Sequence, residues 1–189
     1  MPGLWTDDPI NWRSFYASPC LGYEADVSYR LAKNRLADMV FLKRAGIINC
    51  DDCTVCHTTG TAWHLLISCQ TAKPVWDFIN SIKVKILKSA LRIVDIYAGF
   101  PNPKDRKSSI VNYLCVLAKH TIYSHFTACS KTNVPLRPYL PIFKSKLKAR
   151  IIKEFAWFNG RGITDLFWKK WWNDSSLFVI KDGSVIFLF

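Results

Sequence analysis

The sequence predicts a mainly helical fold that carries a cysteine-rich insertion and ends in a β-hairpin. Three observations predict it. Apolar residues recur at helical spacing over several long stretches, above all 105–127. Cys50, Cys53, Cys56 and Cys69 crowd into one short segment. Asp182-Gly183 stands between two short apolar runs, a strong signal for a tight two-residue turn.

Taken in order, residues 3–22 are rich in Trp, Pro and Asp and read as irregular chain or short turns. Residues 24–46 read as one helix, because Val27, Leu31, Leu36, Met39, Val40 and Leu42 recur near helical spacing. Gly46 stands where its C-terminal cap belongs. The cysteine-rich loop follows over 49–61. A second helix starts near Thr71, with Pro74 in its first turn, where a missing N–H does little harm. Val75, Phe78, Ile79, Ile82 and Ile86 give it an apolar face. Pro101-Asn102-Pro103 then breaks the chain, which divides it into a helix-plus-knuckle region, 1–100, and a basic helical region with the hairpin, 104–189. In the second region, 105–127 reads as a long helix with Ile110, Leu114, Leu117 and Ile122 inward. Pro135, Pro138 and Pro141 end it and lead into another helix through Asn159-Gly160. A short helix over 164–172 precedes the strands at 177–180 and 185–189.

The 189 residues suffice for one domain with a real core, or for two small lobes sharing one. Hydrophobic residues make up 50% of them, so disorder over most of the length is excluded. No apolar run approaches the roughly 20 residues of a membrane-spanning helix, and no membrane association is expected. Residues 1–12 have no apolar h-region, so the expected location is intracellular, in nucleus or cytoplasm. In such a reducing compartment clustered cysteines bind metal more often than they form disulfides. Cys20, Cys115 and Cys129 lie far from the cluster and read as small buried hydrophobes. The net charge of +12 is uneven: residues 1–94 hold 11 basic and 8 acidic residues, whereas 95–189 hold 15 and 6. A half with a net charge of +9 suggests a polyanionic partner, nucleic acid being the commonest.

Zinc takes four thiolate or imidazole ligands in a tetrahedron. Cys53-Thr54-Val55-Cys56 turns two sulfurs toward one point, and seven residues further on the chain offers His64 and then Cys69. On a continuous α-helix the step from His64 to Cys69 is about 500°, which puts them on different faces. A bend or a helix start is therefore expected between them, with Leu65, Leu66 and Ile67 toward the core. Cys50-Asp51-Asp52-Cys53 is a second Cys-x-x-Cys, and His57 is a further candidate in place of His64. With four protein ligands and no open position, one structural zinc is the reading. Trp63 and Trp76 bracket the site and are expected to pack over it.

The run Cys53-Thr54-Val55-Cys56, His64-Leu65-Leu66-Ile67-Ser68-Cys69 and Ala72-Lys73-Pro74-Val75-Trp76 resembles the zinc-binding domain at the end of non-LTR (LINE-type) reverse transcriptases. Leu42-Lys43-Arg44-Ala45-Gly46 resembles the approach to that knuckle, and Ala118-Lys119-His120-Thr121-Ile122-Tyr123 a downstream helix of the same polyproteins. The specific match covers about residues 30–80. The resemblance favours Cys53 over Cys50 as first ligand. It implies a non-catalytic terminal segment of a retrotransposon polyprotein, or a retained copy, binding RNA or single-stranded DNA beside a reverse transcriptase domain. The chain departs from the family in having Gly60-Thr61 where Glu-Thr is common. Nothing in it resembles the polymerase palm or an endonuclease.

Lys144, Lys146, Lys148, Arg150 and Lys153 flank an apolar stripe of Leu140, Phe143, Leu147, Ile151 and Phe158, where several charges can meet one phosphate backbone. An ordinary solvated amphipathic helix has the same pattern. Phe167, Trp168, Trp171 and Trp172 alternate with Lys169 and Lys170; such a cluster can stack on bases but more often anchors a terminal helix. His120 and His125 stand in no recognisable nucleophile context, and no glycine-rich phosphate loop or small-molecule substrate site is legible. The alternative to nucleic acid is a protein-docking scaffold, with the polymerase part or a host protein as partner.

Overall fold

The computed structural model describes residues 10, 12–16, 20–100, 105–132, 137–171 and 177–189. The protein is mainly helical and ends in a two-stranded antiparallel hairpin. The expectation for Pro101-Asn102-Pro103, like that for Pro135 and Trp172, lies outside the described residues.

The first helix, α1 (Trp12–Tyr16), occupies part of the stretch expected to be irregular. The single helix expected over 24–46 is two. Helix α2 runs Gly22–Ala32 and α3 runs Met39–Arg44. Asn34 takes a left-handed φ of 52°, which no helix continues through. Asp38 then caps α3, its carboxylate accepting from the Phe41 N–H at 2.8 Å. Gly46, at φ 69°, closes α3 as expected. Its N–H donates to the Lys43 carbonyl and that of Ile47 to the Leu42 carbonyl, the paired bonds of a Schellman motif.

Helix α4 (Lys73–Leu87) has Pro74 in its first turn and buries Val75, Ile79, Ile82 and Ile86. A short helix that the sequence reading missed, α5 (Ile93–Ala98), follows it. Asp95 of α5 and Lys83 of α4 form a buried ion pair at 2.7 Å, and Arg92 joins from the surface. Burial alone would raise the Asp95 carboxyl, but hydrogen bonds from Arg92 and Lys83 hold it below the usual range.

Helix α6 (Arg106–Thr132) is the axis of the core and packs on α1, α2, α4, α5, α7 (Tyr139–Asn159) and the segment just before α4. Ile110, Leu114, Leu117 and Ile122 are buried as expected, and so are Val111, Tyr113, Cys115, Val116 and Ala118. A helix apolar on all sides is one surrounded by others. Lys119 is buried there too. Its Nζ donates to the Ile96 carbonyl at 2.7 Å and lies 4.7 Å from the Phe15 ring centre. With no carboxylate in ion-pair contact with it among the described residues, burial pushes its pKa down to about 8.

Helix α7 buries Tyr139, Phe143, Leu147, Ile151 and Phe155. Helix α8 (Thr164–Lys170) and the hairpin β1 (Phe178–Lys181) and β2 (Ser184–Phe187) close the aromatic seam. Phe178 pairs with Phe187 and Lys181 with Ser184, around Asp182 and Gly183, both at positive φ as a type I′ turn requires. Phe167 and Trp171 are fully buried, Trp168 stacks on Phe178, and the Trp171 indole donates to Glu154 at 2.7 Å. These aromatics anchor the terminal helix. One cluster of buried side chains takes members from both sides of residues 101–104. Among the described residues no helix is long and apolar enough to cross a membrane.

Candidate metal centre

Cys53 and Cys56 sit on a small hairpin of their own. Asp52 and Thr59 form an antiparallel bridge, the Cys53 N–H donates to the Thr58 carbonyl at 2.7 Å, and the Gly60 N–H to the Asp51 carbonyl at 2.7 Å. Between them the His57 N–H donates to the Cys53 carbonyl at 2.8 Å, and His57 takes a left-handed φ of 53°. That tight turn points both cysteine side chains the same way. Gly60 then passes against Met39: a Cβ added there would lie 2.5 Å from the Met39 sulfur.

The step from His64 to Cys69 is solved by neither of the expected devices. Residues His64–Ser68 form a π turn, in which the Cys69 N–H donates to the His64 carbonyl at 2.8 Å. An i→i+5 bond closes a wider turn than the α-helix, so residue i+5 returns above residue i. Leu65 and Leu66 are buried as expected, and Ile67 is half-buried against the core. The Trp76 indole reaches back to the Leu66 carbonyl at 2.8 Å and ties α4 to the turn. Trp63 instead lines a surface groove beside α3.

The side-chain ligand atoms of Cys53, Cys56, His64 and Cys69 all lie within 4.8 Å of one another. The Cys69 sulfur is 3.8 Å from that of Cys53 and 3.7 Å from that of Cys56. Four ligands in a tetrahedron, with metal–sulfur bonds of about 2.3 Å, require sulfur–sulfur edges of about 3.8 Å. A disulfide needs about 2.05 Å, and all seven cysteines are free. The cluster fits one metal ion held by four protein ligands.

The surroundings supply donors to the sulfurs. The Thr71 hydroxyl lies 3.1 Å from Cys69, and the Gln70 N–H donates to Cys56 at 3.4 Å. Burial alone would raise the Cys69 thiol, but the Thr71 hydroxyl and N–H and the neighbouring thiols bring it below its ordinary value. Burial raises that of Cys53, against the N–H groups of Val55 and Cys56. Burial lowers His64 and favours the neutral imidazole that a metal ligand must be. The Ser68 and Thr58 hydroxyls lie 3.3 and 3.4 Å from its Nδ1.

The two alternatives fall away on position. Cys50 is exposed and lies with Asp51 and Asp52, apart from the other thiols. His57 is exposed and not among the converging side chains.

The basic residues of α7 are separated by the stripe they flank. Lys144 lies 4.8 Å from the Phe78 ring centre, and Lys148 lies 5.3 Å from those of Phe187 and Phe189. Lys146 and Arg150 are on the other flank, with Lys153 exposed beyond them. Arg150 pairs with Glu154 and, at 3.8 Å, with the buried Glu24. Two histidine pairs escaped the sequence reading, although i, i+4 spacing carries them: Ser124 Oγ is 3.3 Å from His120 Nε2, and Cys129 Sγ is 3.5 Å from His125 Nε2. His120 Nδ1 is buried without a partner among the described residues.

Compared with known proteins, the chain matches no family model, no curated protein and no solved structure.

Proposed function

We propose that this chain is a zinc-stabilised, non-catalytic module that binds RNA or single-stranded DNA inside the cell, and that it derives from the end of a LINE-type reverse transcriptase. Zinc is the metal because three thiolates and an imidazole in a closed tetrahedron suit it, and a reducing compartment keeps those thiols available. The observation that carries the binding role is the flank of α7 that meets the hairpin. There Lys144 and Lys148 sit beside the half-buried rings of Phe78, Phe187 and Phe189, with no carboxylate within 4.0 Å of either lysine among the described residues. Cations interleaved with aromatic faces are what a single strand uses, phosphates on the former and bases on the latter.

Arg150 serves the fold through Glu24 and Glu154, so its reversal would test folding rather than binding. The informative variant is Lys144→Glu with Lys148→Glu. Fluorescence anisotropy with labelled RNA and single-stranded DNA, over 50–200 mM salt, should show wild-type affinity falling steeply with salt. In the double variant the slope should drop by about 1.4, two phosphates at about 0.7 each. Absence of binding by the wild type, or binding indifferent to salt, sinks the proposal. A protein-docking role is favoured by the exposed Ile152 and Trp157 of α7. It predicts that Trp157→Ser abolishes capture of the polymerase part and leaves nucleic-acid binding intact.

A further inference from the structure

Beside the metal centre, α3 and residues 61–63 enclose an open groove of about 540 Å3, within the roughly 300–1,000 Å3 of small-ligand clefts. Phe41, Trp63 and Tyr97 are its aromatic lining residues, Leu36 lines it too, and Asn34 and Arg44 are among its polar ones. Phe41 is 55% exposed. Neither the Asn34 amide nor the Arg44 guanidinium makes a side-chain hydrogen bond or ion pair among the described residues, although the Arg44 charge is felt at Asp51. Asp38, the one acidic lining residue, is engaged: its carboxylate accepts from the Phe41 N–H and the Ala62 N–H, each at 2.8 Å. Those two bonds, with the Met39 N–H on the Gly60 carbonyl at 3.1 Å, fasten one wall to the other and both to the knuckle.

We propose that this groove receives one unpaired nucleotide, its base against Phe41 and Trp63 and its phosphate at Arg44. The proposal rests on the nucleic-acid reading above and adds a base-binding pocket to it. An apolar peptide side chain would bury Asn34 and Arg44 without partners, at a cost in desolvation. A nucleotide meets all three chemistries at once: a flat ring for the aromatic faces, hydrogen-bonding edges for the amide, and an anion for the guanidinium. With the Asp38 carboxylate already taken up by two backbone N–H groups, Arg44 is the one cation among the groove's lining residues, and it favours an anionic ligand over a basic peptide.

The test compares fluorescein-labelled decauridylate with an abasic oligomer of the same length, by anisotropy on the full chain. Wild type should bind decauridylate more tightly than the abasic strand. Phe41→Ala should weaken decauridylate binding about tenfold, the scale of one lost base–aromatic stack, and leave the abasic strand unchanged. Arg44→Ala should weaken both and lower the salt slope by about 0.7. Both residues are exposed, and unchanged metal content and melting temperature will certify each variant. Equal wild-type affinity for the two strands overturns the pocket. So do variants that bind decauridylate as wild type does while the Lys144→Glu, Lys148→Glu protein fails to, and that outcome leaves the broader reading standing. If wild type binds neither strand, both fall.

Discussion

In the knuckle, the side chains that converge are three thiols and an imidazole, and only Cys53 and Cys69 of the four are buried. In the seam where α6, α7, α8 and β1 meet, Tyr113, Phe143, Phe167, Trp171 and Phe178 are all fully buried. The seam is held by apolar area withdrawn from water and by edge-to-face rings, such as Tyr113 on Trp171 at 5.3 Å. The cysteine loop over 49–61 buries only Cys53 and Gly60. Its backbone bonds shape a turn, and the turn brings together donors whose full attraction is realised only around a cation. A stretch of this kind folds when its ion arrives. The seam needs no ion.

The largest effect that separates the two regions comes from the ligands. Cys69→Ser should abolish stoichiometric zinc, measured by native mass spectrometry, and cost several kcal/mol of stability, since structural zinc contributes on the order of 10 kcal/mol to small sites. Cys50→Ser should keep its metal. Hydrogen exchange in the Cys69→Ser protein should accelerate over 50–70 and stay slow in α6. Equal zinc loss in both variants, or loss of protection throughout, would erase the distinction between the regions. In the seam, Trp171→Ala removes a fully buried ring and should cost about 3–5 kcal/mol in urea denaturation. Its metal content should stay at the wild-type level.

A smaller effect lies in α6. The Lys119 pKa of about 8 is below the roughly 10.4 of an unfolded lysine, so the unfolded chain holds that proton more tightly. This lysine therefore destabilises the fold below pH 8, and the penalty fades as pH rises toward about 10.4. Lys119→Met should stabilise the protein by about 1–3 kcal/mol at pH 7. Its advantage over wild type should shrink as pH rises from 8 to 10. The Cys20 and Cys115 thiols, pushed up to about 12 by burial, lower the stability of both proteins alike over that range, so only the difference is diagnostic. An advantage constant with pH would mean that the amine is not buried as a cation. Smallest of all, His57→Gly relieves a left-handed residue beside the metal site and should raise the melting temperature of the metal-bound protein by no more than the equivalent of about 1 kcal/mol. A lower melting temperature would show that the imidazole has a role the turn does not explain.

Much of this was legible because it is local. Spacing found the cysteine and histidine cluster but left Cys50 and His57 open as alternatives, Pro74 and the apolar face found α4, and Asp182-Gly183 found the hairpin. The break between α2 and α3 was written in Asn34 and Asp38, a left-handed former and an N-cap, but apolar spacing ran across it unbroken. The six residues of α5 are too short for periodicity to register, and α5 is held by the Lys83–Asp95 pair from the neighbouring helix. Within the π turn, the Leu66 carbonyl is taken by the Trp76 indole ten residues on, a contact no local spacing shows. The fate of Arg150 was equally hidden, since one of its partners, Glu24, lies 126 positions away along the chain.

The placement of the thiols also gives this protein a clock. Cys50 is open to solvent, the knuckle thiols converge where a bound metal would close them off, and Cys115 is buried on α6. An alkylating reagent should therefore mark them in three waves. The first follows diffusion, the second the rate of metal release, and the third the rate at which the core opens. Reading the order of the added masses over time ranks those three motions in one unlabelled sample.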